Sequence, residues 1–313
     1  PRINCPSTIA VAGEVLSPLR TITPGATASF SIEWGACRCP GPVIDVNEAG
    51  CAAEPEPRVI RMGLASAPLN LDPRFATDAT SARLNRLLYQ QLVEFDDQGM
   101  PVPGIADWQQ LTPTHYRFRL LSHRGRFVDG TPLSAADVVA SYAFVLEPAN
   151  LSPHRSTLAM IERVEAFDPA TVDFHIERPD SLFPAYLVLE ILPAQAIAQG
   201  HPFVANPLGS GDFRYLARPE PGRLLLQRRR DGQRIELLEV KNPTVRVLKL
   251  LRGEIHLLQN DLSPELIGYL KSQKEIQVDQ MDGSNFSYIG CNLEDAATGD
   301  PRVRRAIAHG IDR

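Results

Sequence analysis

The chain has 313 residues, 43% hydrophobic and 22% charged, enough for a sizeable core and incompatible with a disordered, coiled-coil or collagen-like bulk. Its net charge of -5 gives no electrostatic footprint for nucleic acid. Basic charge is carried by 28 Arg and 4 Lys, and 27 Pro punctuate the length of the chain. No apolar run approaches the roughly eighteen residues that a membrane-spanning helix needs.

Residues 1–57 differ from the rest: they hold no Lys and four of the five Cys, and keep neither a helical nor a strand period. They are expected to be a disordered leader. Cys37-Arg38-Cys39, with no His nearby, falls short of a metal pattern. Cys51, within Ala49-Gly50-Cys51-Ala52-Ala53, resembles a bacterial lipoprotein processing site followed by a Pro-rich tether, and is the lipidation candidate. Asp45-Val46-Asn47-Glu48 stands where the apolar part of a signal should be. Residues 1–48 are therefore expected not to be natural coding sequence, the alternative being an ordinary thiol at Cys51. The chain opens on Pro1, and its first Met is Met62. A helix begins at Asp300-Pro301 and runs without a C-cap to Arg313. Both ends are read as cut from a longer chain.

From residue 58 on, residues 58–64 read as a strand. Thr80-Ser81 opens an amphipathic helix with Leu84, Leu87, Leu88 and Leu92 on one face. Tyr116-Arg117-Phe118-Arg119-Leu120 alternates as a half-buried strand. Asp129-Gly130-Thr131-Pro132 is a turn. Ser134 then caps a helix with Asp137 at the third helical position, and Val138, Val139, Tyr142, Val145 and Leu146 form its buried face. Residues 171–177 alternate again, with Val172, Phe174 and Ile176 inward. Asp173, His175 and Glu177 share the other face; that set suits a metal, but a solvated strand face is the reading adopted. Strands are expected over 213–216, 223–227 and 235–240, with Arg228-Arg229-Arg230 in an exposed turn. A helix follows over 244–251, a strand over 254–258 and a helix over 263–270. Further strands are expected over 276–278 and 286–291. The class is α/β in the mixed α+β sense, with antiparallel hairpins prominent.

Chemistry is sparse. Nucleophile-elbow, zincin, P-loop and dinucleotide motifs are absent from the sequence. Gly209-Ser210-Gly211 precedes a strand, so no helix N-terminus stands ready to hold an anion there. The seven His are scattered. The reading is not an enzyme, with no cofactor and no metal.

Several segments together resemble the family 5 extracytoplasmic solute-binding proteins of ABC importers, the peptide, dipeptide and nickel binders. They are Leu71-Asp72-Pro73, Leu88-Tyr89-Gln90-Gln91-Leu92, Pro103-Gly104-Ile105-Ala106 with Trp108, and the block from Tyr116 through the Asp129-Gly130-Thr131-Pro132 turn to Val139. Pro207-Leu208-Gly209-Ser210-Gly211, Arg252-Gly253-Glu254-Ile255 and residues 300–313 extend the likeness in colinear order. Asp212, His256 and Gly310 depart from the family's Pro, Asp and Ala. The resemblance implies a two-lobed periplasmic-binding fold of type II with an inserted domain. Mapped onto this chain, 58–90 and 178–275 form lobe one, 91–177 the inserted domain, and 283–313 the start of lobe two.

The implied function is that of a periplasmic or envelope receptor, a monomer that delivers di- or oligopeptides to the permease subunits of an ABC transporter. The resemblance carries ligand contacts to Thr77, Asp78 and Ala79, where a peptide adds as a strand, and to His154, where a Tyr often lines the cleft. Its membrane contact is through the Cys51 anchor alone. Two alternatives share the module: a nickel or haem chelate, or another small solute, as ligand; and a role as the sensing domain of a transcription regulator.

Overall fold

The structure, a computed structural model, describes residues 7–12, 59–96, 98–122, 125–259, 262–281 and 288–311. Cys51 and the rest of the leader beyond 7–12 lie outside them. In chain order the elements are β1 (Ser7–Ala12), β2 (Ile60–Leu64), α1 (Ala79–Leu88), β3 (Val93–Phe95), β4 (Pro101–Pro103), β5 (Ala106–Thr112), β6 (His115–Leu120), α2 (Ala135–Leu146), β7 (Ile161–Asp168) and β8 (Thr171–Ile176). They continue with α3 (Ala194–Ala198), β9 (Phe213–Glu220), β10 (Arg223–Arg228), β11 (Arg234–Glu239), α4 (Pro243–Leu251), β12 (Leu257–Leu258), α5 (Pro264–Lys271), β13 (Ile276–Met281) and α6 (Pro301–Gly310). The chain divides into two compact units, residues 29–241 and residues 1–28 with 242–313.

The described residues of the unit 29–241 form two larger sheets, the two-stranded β3–β4 pair and two hydrophobic cores. In the first sheet β2 runs parallel to β11, while β11–β10 and β10–β9 are antiparallel. β10 shows why it sits there: Leu224 and Leu226 point inward, and the other residues of the strand are half-buried. With Ile235 and Leu237 of β11 they pack under Leu84 and Leu88 of α1 and under Leu71, Tyr89 and Phe203. Glu236, buried on the sheet's other face, is paired with Arg61 at 3.1 Å and with Arg223.

The second sheet is antiparallel throughout, in the order β5-β6-β8-β7. Its inward rings, Phe118 and Phe174, meet edge to face at 5.3 Å, and Tyr142 of α2 meets Phe174 at 5.2 Å. α2 starts where Asp137 directs it. One carboxylate oxygen accepts the Ser134 N–H and hydroxyl, both at 2.8 Å, and the other accepts the Ala194 N–H at 2.7 Å.

α1 begins one residue earlier than Thr80-Ser81 suggests, because Asp78 is the N-cap and accepts the Ser81 N–H at 2.8 Å. It ends at Leu88, so Leu92 belongs to the other core. That core is built from residues 92–191 and the first from residues 71–89 and 192–237, so the chain passes between them at Tyr89–Leu92 and again at Ile191–Leu192. The two crossings lie side by side, the Ile191 N–H donating to the Gln90 carbonyl at 2.9 Å.

Gly209 and Gly211 are spent on this junction. The Gly211 N–H donates to the Leu88 carbonyl at 2.8 Å, and a Cβ at Gly209 would lie 1.7 Å from that same oxygen. Arg229, in the predicted turn, clamps the segment by donating to the Ser210 and Gly211 carbonyls, both at 3.1 Å.

In the other unit, Asn242 and Ser263 cap α4 and α5 with Pro at the first helical position. Their inward residues are Val247 and Leu250, then Ile267 and Leu270. β13 pairs in parallel with β1, Ser7 opposite Ile276. Asp300 caps α6, as its Asp-Pro start predicts. The expected strand over 254–258 is reduced to Leu257–Leu258. Residues 288–291 form no strand; 286 and 287 lie outside the described residues.

Candidate functional site

The site is organised by a buried ion pair in the Leu71-Asp72-Pro73 segment. Arg74 donates from Nε and Nη2 to the two oxygens of Asp72 at 2.9 and 2.7 Å. Its guanidinium lies 3.9 Å from the Phe144 ring centroid and 4.9 Å from that of Phe203. Bidentate geometry and two aromatic faces offset the desolvation of a charge pair this deeply buried. The Arg74 carbonyl accepts the Ser152 hydroxyl at 2.7 Å, and the Ser152 oxygen accepts the His154 N–H at 3.3 Å. Leu151, at φ 52°, makes the sharp turn that allows it. The loop carrying His154 is thereby fastened to the segment that leads into α1.

Between these parts lies a cavity of about 200 Å³. Pro73, Ala76, Ala82 and Leu158 supply apolar walls, Arg86 and His154 stand among its lining residues, and Asn85, Gln91 and Glu190 provide its buried polar groups. A second cavity, beside Gly222 and Arg223, measures about 30 Å³, room for roughly one water.

Glu190 is 8% exposed. One carboxyl oxygen accepts the Gln91 side-chain N–H at 3.1 Å, and the same amide nitrogen donates to the Val188 carbonyl at 2.6 Å. Burial pushes the Glu190 carboxyl up to about 7, against smaller opposing effects of its own backbone N–H, Gln91 and Arg86. Asn85, 1% exposed on α1, has an amide with no hydrogen-bond partner at either atom. An unsatisfied polar group in a protein interior is costly, so the unpartnered Asn85 amide beside the buried Glu190 carboxyl marks a place built for something other than packing.

The structure places the sequence-derived site residues as follows. His154 is half-buried and lines the cavity. Thr77 and Ala79 are exposed at the start of α1, and Asp78 caps it with one carboxylate oxygen buried and unpartnered. The cavity takes its α1 residues from further along, at Ala82, Asn85 and Arg86. Asn85, Gln91 and Glu190 escaped the sequence reading. Glu190 had one visible signal, an acid inside the apolar run Leu187-Val188-Leu189-Glu190-Ile191-Leu192.

The face carrying Asp173 is not the solvated one expected. Asp173 is buried and bound bidentately by Arg117 at 2.8 and 2.7 Å, which holds its carboxyl below the usual range. His115 and His175 stack at 4.2 Å on that face, while Glu177 is exposed. Among the described residues no group of three or more His, Cys, Asp or Glu is arranged to hold a metal ion, and no helix is long and apolar enough to cross a membrane.

The model for bacterial extracellular solute-binding proteins, family 5 (middle), matches residues 101–313. The chain belongs to that family. Family 5 members are binding proteins and not enzymes. Among its relatives is the di/tripeptide-binding protein 2 of Pseudomonas aeruginosa, 26% identical over 307 residues, covering 85% of this chain and 56% of the relative. The periplasmic oligopeptide-binding protein OppA of Salmonella typhimurium is 25% identical over 278 residues, covering 78% of this chain and 51% of the relative. This family 5 chain thus spans about half the length of the curated relatives it matches.

Solved structures agree on the mixed α/β fold of the family's binding proteins. The substrate-binding protein CtaP of Listeria monocytogenes superposes with a TM-score of 0.68 at 21% identity, covering 82% of this chain and 55% of CtaP. NikZ of Campylobacter jejuni, in complex with Ni(L-His), gives 0.64 at 19% identity, covering 81% of this chain and 53% of NikZ.

Proposed function

We propose that this family 5 chain is part of a receptor outside the cytoplasm that binds di- or oligopeptides and delivers them to the permease of an ABC importer. The observation carrying this reading is the family match, together with relatives whose names specify di/tripeptide, oligopeptide and glutathione binding. The cavity beside His154 supports it: apolar walls with a few convergent polar groups are what a small-molecule site requires. In this proposal Thr77, Asp78 and Ala79 meet the ligand backbone at the start of α1, and His154 lines the cleft. Lobe one comprises 58–90 and 178–275, and the inserted domain 91–177; the change of core between Tyr89 and Leu92 supports the first boundary, whereas the second core runs on past 177 to Ile191.

The test is thermal unfolding of the protein with dialanine through pentaalanine, glutathione and nickel-histidine. A ligand at about 100 times its Kd adds about 2.7 kcal/mol, a shift of several degrees. Stabilisation by peptides supports the reading. Stabilisation by nickel-histidine and by no peptide transfers the receptor to metal chelates.

A further inference from the structure

The cavity has a charge character that the family reading does not specify. Glu190 is its one acidic lining residue, and among the described residues no Lys, Arg or His forms an ion pair with it. Its side-chain partner, Gln91, is neutral, and that amide is already shared with the Val188 carbonyl. Arg86 is exposed on α1 and exerts the weakest effect on Glu190 of those that act on it. An ionised carboxylate offers about four acceptor positions, and here two are taken, by Gln91 and by the Glu190 backbone N–H. Asn85 adds an amide oxygen with no donor. The walls formed by Pro73, Ala76, Ala82 and Leu158 are apolar along their length.

This combination suits an aliphatic stem ending in a positively charged N–H donor. The stem removes apolar wall from water, and the charge meets a carboxylate that lacks a counter-ion. About 200 Å³ corresponds to six or seven water-sized units, room for four methylenes and an ammonium. An anion would face Glu190 directly, and an uncharged apolar side chain would leave Glu190 and Asn85 as they are.

We propose that the Asn85–Gln91–Glu190 cavity is a specificity subsite for a cationic ligand side chain of the lysine class, with Glu190 as its counter-ion. The proposal rests on the receptor reading for its biological meaning. Its physical content, capture of an alkylammonium group at Glu190, can be tested separately.

Two measurements on the protein and on Glu190→Gln test it. In calorimetric titrations at pH 8, Ala-Lys-Ala binds at least about tenfold more tightly than Ala-norleucine-Ala, which has the same stem without the charge. In Glu190→Gln that ratio falls below about twofold while the norleucine peptide keeps its affinity. Ala-Arg-Ala separates a general cation site, where it matches the lysine peptide, from an ammonium-selective one, where it binds like the norleucine peptide; either agrees with a cationic subsite. Second, 1,5-diaminopentane lowers the titration midpoint of the Glu190 carboxyl carbon, followed by NMR, by at least about one unit.

Equal affinity for the lysine and norleucine peptides with an unmoved Glu190 midpoint overturns the subsite. So does a lysine preference that survives in Glu190→Gln. If no peptide binds but the diamine lowers the Glu190 midpoint, the subsite stands and the peptide reading falls. If no peptide binds and the midpoint does not move, both fall.

Discussion

Replacing Glu190 by Gln makes the protein more stable at alkaline pH and leaves it nearly unchanged at acid pH. Burial holds this carboxyl at about 7 against an ordinary 4.5. A gap of about 2.5 units at 1.36 kcal/mol per unit amounts to about 3 kcal/mol. The sign follows from which state ionises first. Below 4.5 the carboxyl is protonated in both folded and unfolded chains and costs nothing. Between 4.5 and 7 the unfolded chain ionises ahead of the folded one, so stability falls with rising pH across that window and levels off above it.

Gln is neutral at every pH and keeps an oxygen to accept from Gln91. Arg86 is charged at both pH values and its small attraction is already contained in the value of about 7, while Tyr89 and Tyr142, raised by burial, stay neutral across the range. Thermal unfolding at pH 4.5 and pH 8.5 should therefore show near parity at the first. At the second, Glu190→Gln should lead by about 3 kcal/mol, about 6–12 °C for a protein of this size. A difference between the two proteins that is the same at both pH values would refute the assignment of a buried, uncompensated carboxyl at this position.

Gly209→Ala drives a methyl group into the Leu88 carbonyl and is expected to cost about 3 kcal/mol, measured as a lowered urea midpoint; a midpoint within error of wild type would contradict the close approach of the two segments. Asp137→Ala strips acceptors from Ser134 and Ala194 together, so its cost in the same assay should exceed the roughly 1 kcal/mol of a simple cap. Arg74→Leu leaves Asp72 as a buried, uncompensated charge and is expected to destabilise by about 3–5 kcal/mol; the double variant with Asp72→Asn should recover part of that loss, and no recovery would argue against their coupling.

Elements whose physics is local were readable from residue order. The Ser134–Asp137 capping box, the alternation over Tyr116–Leu120 and the Asp300-Pro301 helix start each depend on neighbours within a few positions. β5 was missed because Asp107, Gln109 and Gln110 mask any apolar alternation in an edge strand. The state of Asp173 depends on Arg117, 56 residues earlier and brought opposite by the β6–β8 register. The same limitation hid the cavity. Asn85 and Gln91 read as two polar positions on an amphipathic helix until Glu190 arrives beside them from nearly a hundred residues away.

The paired crossings at Gln90 and Ile191 also make residues 91–190 topologically separable. A segment that leaves and returns through one narrow doorway behaves as a cassette: its ends already touch, so a short linker between Gln90 and Ile191 would close the parent chain with little loop entropy, and the excised piece would carry its own core. Gln91 and Glu190 are the doorposts. A guest bound at Glu190 would thus sit on the threshold through which the cassette can be grafted into, or deleted from, related scaffolds.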